Sequence, residues 1–320
     1  MTFGDVAVDD AAGAVLAHSV KAGELRFSKG RLLSTDDIAK LKQAGIARVI
    51  AARLSEGDLL EDEAARRIAA AIAPDHLKFS TAATGRVNVF STVHGLFRAD
   101  RSAVDRLNRI DPAITLACLK DFADIRAGDM VATIKIIPLA VGGEQVAAAE
   151  HLLQGVAPFA VKPYRPRTVA LIATELPTLK ASVMDKTRRL LEARLEPSGS
   201  TLSVEHRVAH TAGEVATAIR DVVANNQMIV VFGASAVADP DDVIPAAIRL
   251  AGGVVERVGL PVDPGNLLVL GHIGDVAVIG APGCARSPKE NGFDWVLSRI
   301  FADDPPTSDD LSGLGVGGLL

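Results

Sequence analysis

Residues 168–302 alternate short apolar runs with amphipathic ones, and this alternation narrows the available folds more than any other feature of the chain. "TVALIAT" (168–174), "STLSVEHRVAH" (200–210) and "QMIVVFGAS" (227–235) read as strands. "SVMDKTRRLLEARLE", "AGEVATAIRDVVANN" and "DDVIPAAIRLAGG" read as the helices between them. "NLLVLGHIGDVAVIGAPG" reads as a strand pair and "SPKENGFDWVLSRIFA" as a closing helix. A wholly apolar strand such as Met228–Phe232 needs cover on both faces, which parallel sheets receive from crossover helices. Composition agrees. Hydrophobic residues make up 48% of the 320 residues and aromatics only 4%, so the core is built of Ala, Val, Leu and Ile.

The rest of the chain is less regular. A length of 320 residues allows two or three domains of roughly 100–200 residues each. Residues 1–74 read as a small α/β region. Its helix starts at Ser34, Ile38 and Leu41 turn inward with Ile46 beyond, Gly45 ends it, and "ARVIAARL" follows as a strand. Residues 75–160 read as a mixed, β-rich domain with a long strand from Met130 to Val141. "APFAVKPYRPR" (157–167) carries three prolines and reads as a linker. Residues 161–304 form the main α/β domain, and 305–320 a flexible tail whose apolar end, "LGVGGLL", looks like the cut edge of a longer chain. The expected class is therefore α/β: a three-layer domain with a mostly parallel sheet, preceded by smaller mixed α/β regions.

Charge and cysteine use narrow the function. A net charge of -5 with no Lys/Arg block argues against nucleic acid. Two cysteines, Cys118 and Cys284, make no disulfide framework. The acidic N-terminus is no signal peptide, and no apolar run reaches the ~18 residues of a membrane span. A soluble cytoplasmic protein with no membrane partner is expected.

In an open α/β sheet, ligands bind beyond the carboxyl ends of the strands. Glu175 stands at such an end, and Asp185 lies in the first turn of the next helix. Gly233, Ala234 and Ser235 follow the apolar strand, where small residues let backbone amides approach an oxyanion. Asp239, Asp241 and Asp242 crowd the start of the next helix. Capping accounts for one of them, and a Mg²⁺ ion on Asp239 and Asp241 would relieve the repulsion of the others. Pro264 and Gly265 make a turn before a strand. Pro282 and Gly283 end another strand, and Arg286 is a candidate anion contact ahead of a helix expected to begin with Ser287 as cap, Pro288 at its first position and Glu290 closing a capping box. The seven histidines form no ligand spacing. No G-x-S-x-G elbow is present, and "ALIATELPTLK", after the first strand of the sheet, carries no G-x-G-x-x-G fingerprint.

"VVFGASAVADPDDV", "VGLPVDPGNLLVLG" and "GDVAVIGAPGCARSP" resemble, in order and spacing, the molybdopterin-binding domain shared by molybdopterin adenylyltransferases and molybdopterin molybdotransferases. "ATELPTLKASVMDKTRRL" resembles a Thr-Gly-Asp-Glu-Leu segment and the Asp-Thr-Asn-Arg helix start of the second group. The resemblance covers about residues 165–302, with a fainter echo at 29–51. It implies binding of the pterin dithiolene phosphate, with Glu175 and Asp185 as family acids, Gly233 as first loop glycine and Asp239 and Asp241 as the acid pair. Pro264–Gly265 and Pro282–Gly283 match the two later turns. Ala234, Ala238, Asp263, Cys284–Ala285 and Thr187 depart from the pattern, Asp263 by placing an acid where the family has a lysine. The resemblance extends to the variant of this domain fused ahead of a nucleotidyltransferase-like domain. Three readings follow: a molybdopterin-binding module in cofactor biosynthesis or maturation; a Mg²⁺-dependent nucleotidyl- or molybdotransferase with Asp239, Asp241 and Glu175 as catalytic acids; and a generic nucleotide-binding α/β protein. Molybdopterin, a nucleotide, a fused or separate nucleotidyltransferase and a second copy of the chain are the expected partners.

Overall fold

The computed structural model describes residues 1–177 and 180–320. Thr178 and Leu179, in the loop after Glu175 singled out from the sequence, lie outside the described residues. The chain divides into two compact units, residues 1–93 with 97–161, and residues 94–96 with 162–320. Both are mixed α/β.

In the first unit, Thr2–Ala7 and Ala14–Leu16 flank Arg48–Arg53 in an antiparallel sheet. Helix Thr35–Gln43 buries Ile38 and Leu41 in the same apolar cluster as Leu16 and Val49. Its start is the one the sequence implies: Ser34 accepts from the Asp37 amide and Asp37 from the Ser34 amide. Arg31 grips the Asp37 carboxylate with two bonds of 2.8 Å. A second antiparallel sheet runs Ile114–Cys118, Met130–Ile136, Arg86–Ser91, Leu77–Phe79. The long strand expected from Met130 to Val141 stops at Ile136 and resumes as Ala140–Gly142. Pro138, which has no amide hydrogen to give to a ladder, sits in the gap. Helices Arg101–Asn108 and Gly143–Gly155, absent from the sequence reading, complete the unit.

The second unit holds the alternating segment. Its strands are β1 (Thr168–Glu175), β2 (Thr201–Ala209), β3 (Met228–Phe232), β4 (Val254–Val258), β5 (Val269–Ile273) and β6 (Val276–Ala281). They form one sheet in the order β2-β1-β3-β6-β5-β4. The first four are parallel, and β5 and β4 are added antiparallel. The helices are α1 (Ala181–Leu195), α2 (Ala212–Val223), α3 (Val243–Leu250), α4 (Gly292–Phe301) and α5 (Ser308–Ser312).

Strand periodicity divides the core between two faces. Val169, Leu171, Met228, Val230, Phe232 and Ile279 pack with Leu191 and Leu195 of α1 and Phe293, Val296 and Leu297 of α4. Ala170, Ile172, Ile229, Val231 and Val278 pack with Val215 and Ile219 of α2 and Ile244 and Ile248 of α3. The result is three layers with a mostly parallel sheet. β4 was not expected, because "VVERV" puts two charges in a five-residue run; it lies at the sheet edge, where charges are tolerated. The proline-rich stretch expected as a linker contains strand Phe159–Pro163. The last residues carry α5, with Leu311 buried and the Asp263 backbone paired to Gly318 and Leu320.

Two outcomes test this packing. Ile279→Ala, in the full chain, should lower the unfolding free energy by about 2–5 kcal/mol in urea titration. The Arg31 bonds, with the Ser34 amide, hold Asp37 below its ordinary carboxylate pKa. Its contribution is therefore present above the unfolded value and lost as pH falls through the folded one. The stability gap between wild type and Asp37→Asn should be widest near neutral pH and close as pH drops below about 4.

Candidate functional site

The sheet register places the strand tips in one row: Glu175 opposite Ala209, Ala173 opposite Phe232, and Phe232 opposite Ala281. Just past β3 the chain turns at Gly233. A Cβ there would lie 2.7 Å from the Ser235 carbonyl oxygen and 3.1 Å from Ile244 Cδ1, so the turn admits no side chain. Thr174 Oγ1, fully buried at the end of β1, accepts from the Ala234 amide at 2.6 Å and lies 2.9 Å from His210 Nδ1.

Arg286 closes this arrangement from the other side. Its Nη2 donates to the Gly233 carbonyl at 2.9 Å and its Nε to Thr187 Oγ1 at 3.2 Å. Thr187 is buried in α1 and its hydroxyl donates onward to the Val183 carbonyl. The Arg286 guanidinium lies 5.2 Å over the Phe232 ring. No carboxylate of the described residues pairs with it, and burial alone pushes its pKa below the usual arginine value. It nonetheless stays a cation, because arginine does not deprotonate in proteins. A half-buried positive charge with unspent donors in a planar fork is costly as it stands and complementary to an oxyanion.

The loop that carries Arg286 is held by Arg194, a residue the sequence reading passed over. From α1 its guanidinium donates to the carbonyls of Ala285 at 2.9 Å and Ser287 at 2.6 Å, and to Asp294 at 2.6 Å. Its side chain is only 10% exposed. These partners lie 91 to 100 residues away, a distance over which local pattern carries no information.

Here the expected helix start is corrected. α4 begins at Gly292, with Asn291 as cap and Asp294 closing the capping box, and not at Ser287. A start at Ser287 would draw the Ser287 carbonyl, which Arg194 holds, into a helix bond. Residues 283–286 instead make one tight turn, and Glu290 accepts from Trp295 Nε1 at 2.7 Å.

The remaining sequence candidates lie apart from this cluster in their contacts. Asp185 accepts from Arg207 at 2.6 Å on β2, and that bond holds its carboxyl below the usual range. Asp239 accepts from the Asp241 amide at 2.8 Å, and Asp241 from Arg249 at 3.1 Å. Asp242 is the cap of α3, its carboxyl lowered by the amides of Ala238 and Val243. Among the described residues no group of three or more His, Cys, Asp or Glu is placed to hold a metal ion. Both expected Mg²⁺ ligands are engaged and a guanidinium stands beside one, so this donor set does not fit a resident Mg²⁺, which requires a regular oxygen shell. Glu175 is exposed, its carbonyl accepting from the His210 amide. Ser235 is exposed too, with only a 3.5 Å contact to the Ala236 carbonyl. Pro264 and Gly265 brace α4: Pro264 accepts from the Gly292 amide at 2.9 Å, and a Cβ on Gly265 would lie 2.5 Å from that nitrogen. Pro282 accepts from the Ala285 amide, and Gly283 faces open space.

A family described as a Domain of unknown function (DUF8806) matches residues 5–53. No curated protein matches the chain. Among solved structures, the chain is similar to a molybdenum cofactor biosynthesis protein from Pyrococcus furiosus at 13% identity and TM-score 0.27, over 98% of this chain and 65% of that one. It thus spans about two thirds of that protein's length. It is similar to a molybdopterin biosynthesis protein from Pyrococcus horikosii at 13% identity and TM-score 0.32, over 95% of this chain and 75% of that one. A molybdopterin biosynthesis enzyme from Thermus thermophilus matches at 12% identity and TM-score 0.30, over 43% of this chain and 98% of that one. Among the described residues, no helix is long and apolar enough to cross a membrane.

Removing the Arg194 clamp should loosen the loop without unfolding the sheet. In Arg194→Met, amide exchange in 283–291 should speed up by the equivalent of about 2–3 kcal/mol, while β1 and β3 keep their protection.

Proposed function

We propose that residues 162–320 bind a phosphate-bearing ligand at the carboxyl ends of β1, β3 and β6, and that the ligand is molybdopterin. One observation carries the reading: a half-buried Arg286 with no carboxylate partner among the described residues, donating to the carbonyl of a glycine turn at the strand tips. Three of the four segments that resemble the molybdopterin-binding domain supply residues to this turn, namely Thr174 with Thr187, Gly233 with Ala234, and Arg286, and the resemblance supplies the identity of the ligand. Arg286 and Thr187 line one side of the turn, and the Ala234 amide, already donating to Thr174, sets its shape.

Holding the pterin is favoured over transferring a group to it. Of the three acids assigned to a transferase, Asp241 pairs with Arg249 and Asp239 accepts a backbone amide, while Glu175 is exposed at the end of β1. In this reading the chain presents the pterin, and a separate or fused nucleotidyltransferase performs the chemistry.

Titration of the full chain with molybdopterin should show saturable binding. Arg286→Met should weaken it about 10- to 100-fold, the worth of one or two charge-assisted bonds. Asp239→Ala with Asp241→Ala should leave it within about threefold, and ATP, Mg²⁺ and molybdate should yield no AMP. Unchanged affinity in Arg286→Met rejects the site; AMP release that the double variant abolishes establishes the transferase reading instead.

A further inference from the structure

We propose that Thr187 is a positioning residue of the anion site: its hydroxyl fixes the plane of the Arg286 guanidinium, so that Nη1 and Nη2 together meet two oxygens of one phosphate-class anion. The inference rests on the anion site at Gly233 proposed above.

The residue stands out by its place. The buried residues of α1 are Met184, Thr187, Leu191 and Leu195, and Thr187 alone among them is polar. It is 2% exposed. A hydroxyl so placed is costly unless it is bonded, and a threonine inside a helix often spends its proton on the carbonyl four residues back. Thr187 does so, donating to the Val183 carbonyl at 2.8 Å. That bond uses the one hydrogen on Oγ1 and holds the side chain in a single rotamer. What remains on Oγ1 is acceptor capacity, and Arg286 Nε donates into it at 3.2 Å.

A guanidinium carries five N–H groups in one plane. Nε gives its only one to Thr187, and Nη2 gives one of its two to the Gly233 carbonyl at 2.9 Å. These two anchors stand on different elements, α1 and the turn after β3, so together they fix the plane against rotation. The buried Phe232 ring, 5.2 Å from the guanidinium carbon, lies against one face. Among the described residues three N–H groups stay unspent, both on Nη1 and one on Nη2. They sit on adjacent nitrogens, the arrangement that takes two oxygens of one anion at once. With the Nε bond removed, the fork keeps a single anchor at Gly233 and turns about it, and the second oxygen loses its donor. Thr187 thus acts through Arg286 and not by touching the ligand.

NMR titration of the full chain with sodium sulfate, followed at the Ala234 amide, tests this at affinities too weak for calorimetry. Thr187→Val, which keeps the branched shape and removes the acceptor, should weaken sulfate binding about tenfold. Thr187→Ser, which keeps the hydroxyl, should stay within about threefold of wild type. In an Arg286→Met background Thr187→Val should cost nothing further, because no guanidinium is left to position. Without any ligand, the Arg286 Nε–H of the unmodified protein should exchange with solvent at least about tenfold more slowly than that of an exposed arginine. Wild-type affinity in Thr187→Val, an equal further loss in the Arg286→Met background, or fast Nε–H exchange overturns the positioning role and leaves the anion site standing. Wild-type sulfate affinity in Arg286→Met overturns instead the anion site itself, so the two failures are separately visible.

Discussion

Burial of β3 on both faces is the constraint on which the second unit depends. Met228, Val230 and Phe232 point to one helical layer and Ile229 and Val231 to the other, with none of the five exposed. Such a strand has no face to offer water, so it must lie inside the sheet with helices on either side. That requirement puts β1 and β6 next to it and brings their carboxyl ends into one row. The chain can leave β3 only by a tight turn, because Ile244 of α3 already occupies the space a side chain at 233 would need. The proposed anion site is thus a by-product of close packing: the same turn that demands glycine at 233 gives its carbonyl to Arg286 and the Ala234 amide to Thr174.

Arginine does two separate jobs around that edge. Arg194 is satisfied by loop carbonyls and Asp294 and serves as a clamp. Arg286, five residues before the Asn291 cap of α4, has no carboxylate partner among the described residues and keeps donors unspent. A guanidinium in a partly desolvated place is destabilising until an anion joins it, whereas one surrounded by carbonyls is a structural bond. The contrast sets the clamping arginine of α1 apart from the arginine of the proposed site. The acids show the converse. Clustered carboxylates look like a metal site in one dimension, but the fold distributes them among an arginine, a backbone amide and a helix cap.

Much of the fold is legible in the sequence because it rests on short-range periodicity. The alternation at 168–302 predicts the crossover sheet, and Ser34 predicts a helix start that the structure shows, with Asp37 closing its cap. The same local logic misplaces the start of α4. Ser287, Pro288 and Glu290 satisfy every rule of a helix beginning, as do Asn291 and Asp294 four residues later. The chain takes the second, and Arg194, distant in sequence, holds the Ser287 carbonyl that a helix begun there would have used. Likewise "VVERV" has no strand signature of its own and becomes β4 because β5 has an open edge.

The sequence by itself determined the α/β class, the buried central strand and the glycine turn after it, and it singled out Arg286 as a candidate. Each follows from residue type and spacing within about one element. Only the tertiary structure decided which candidates share a place. It joined Thr174, Thr187 and His210 to Gly233 and Arg286, assigned Asp185 and Asp241 to ion pairs, and gave Pro264 and Gly265 to the bracing of α4. The reason is that hydrogen-bond partners are chosen in space. A donor such as Arg194 finds acceptors some 91 to 100 residues away, where no periodicity connects them.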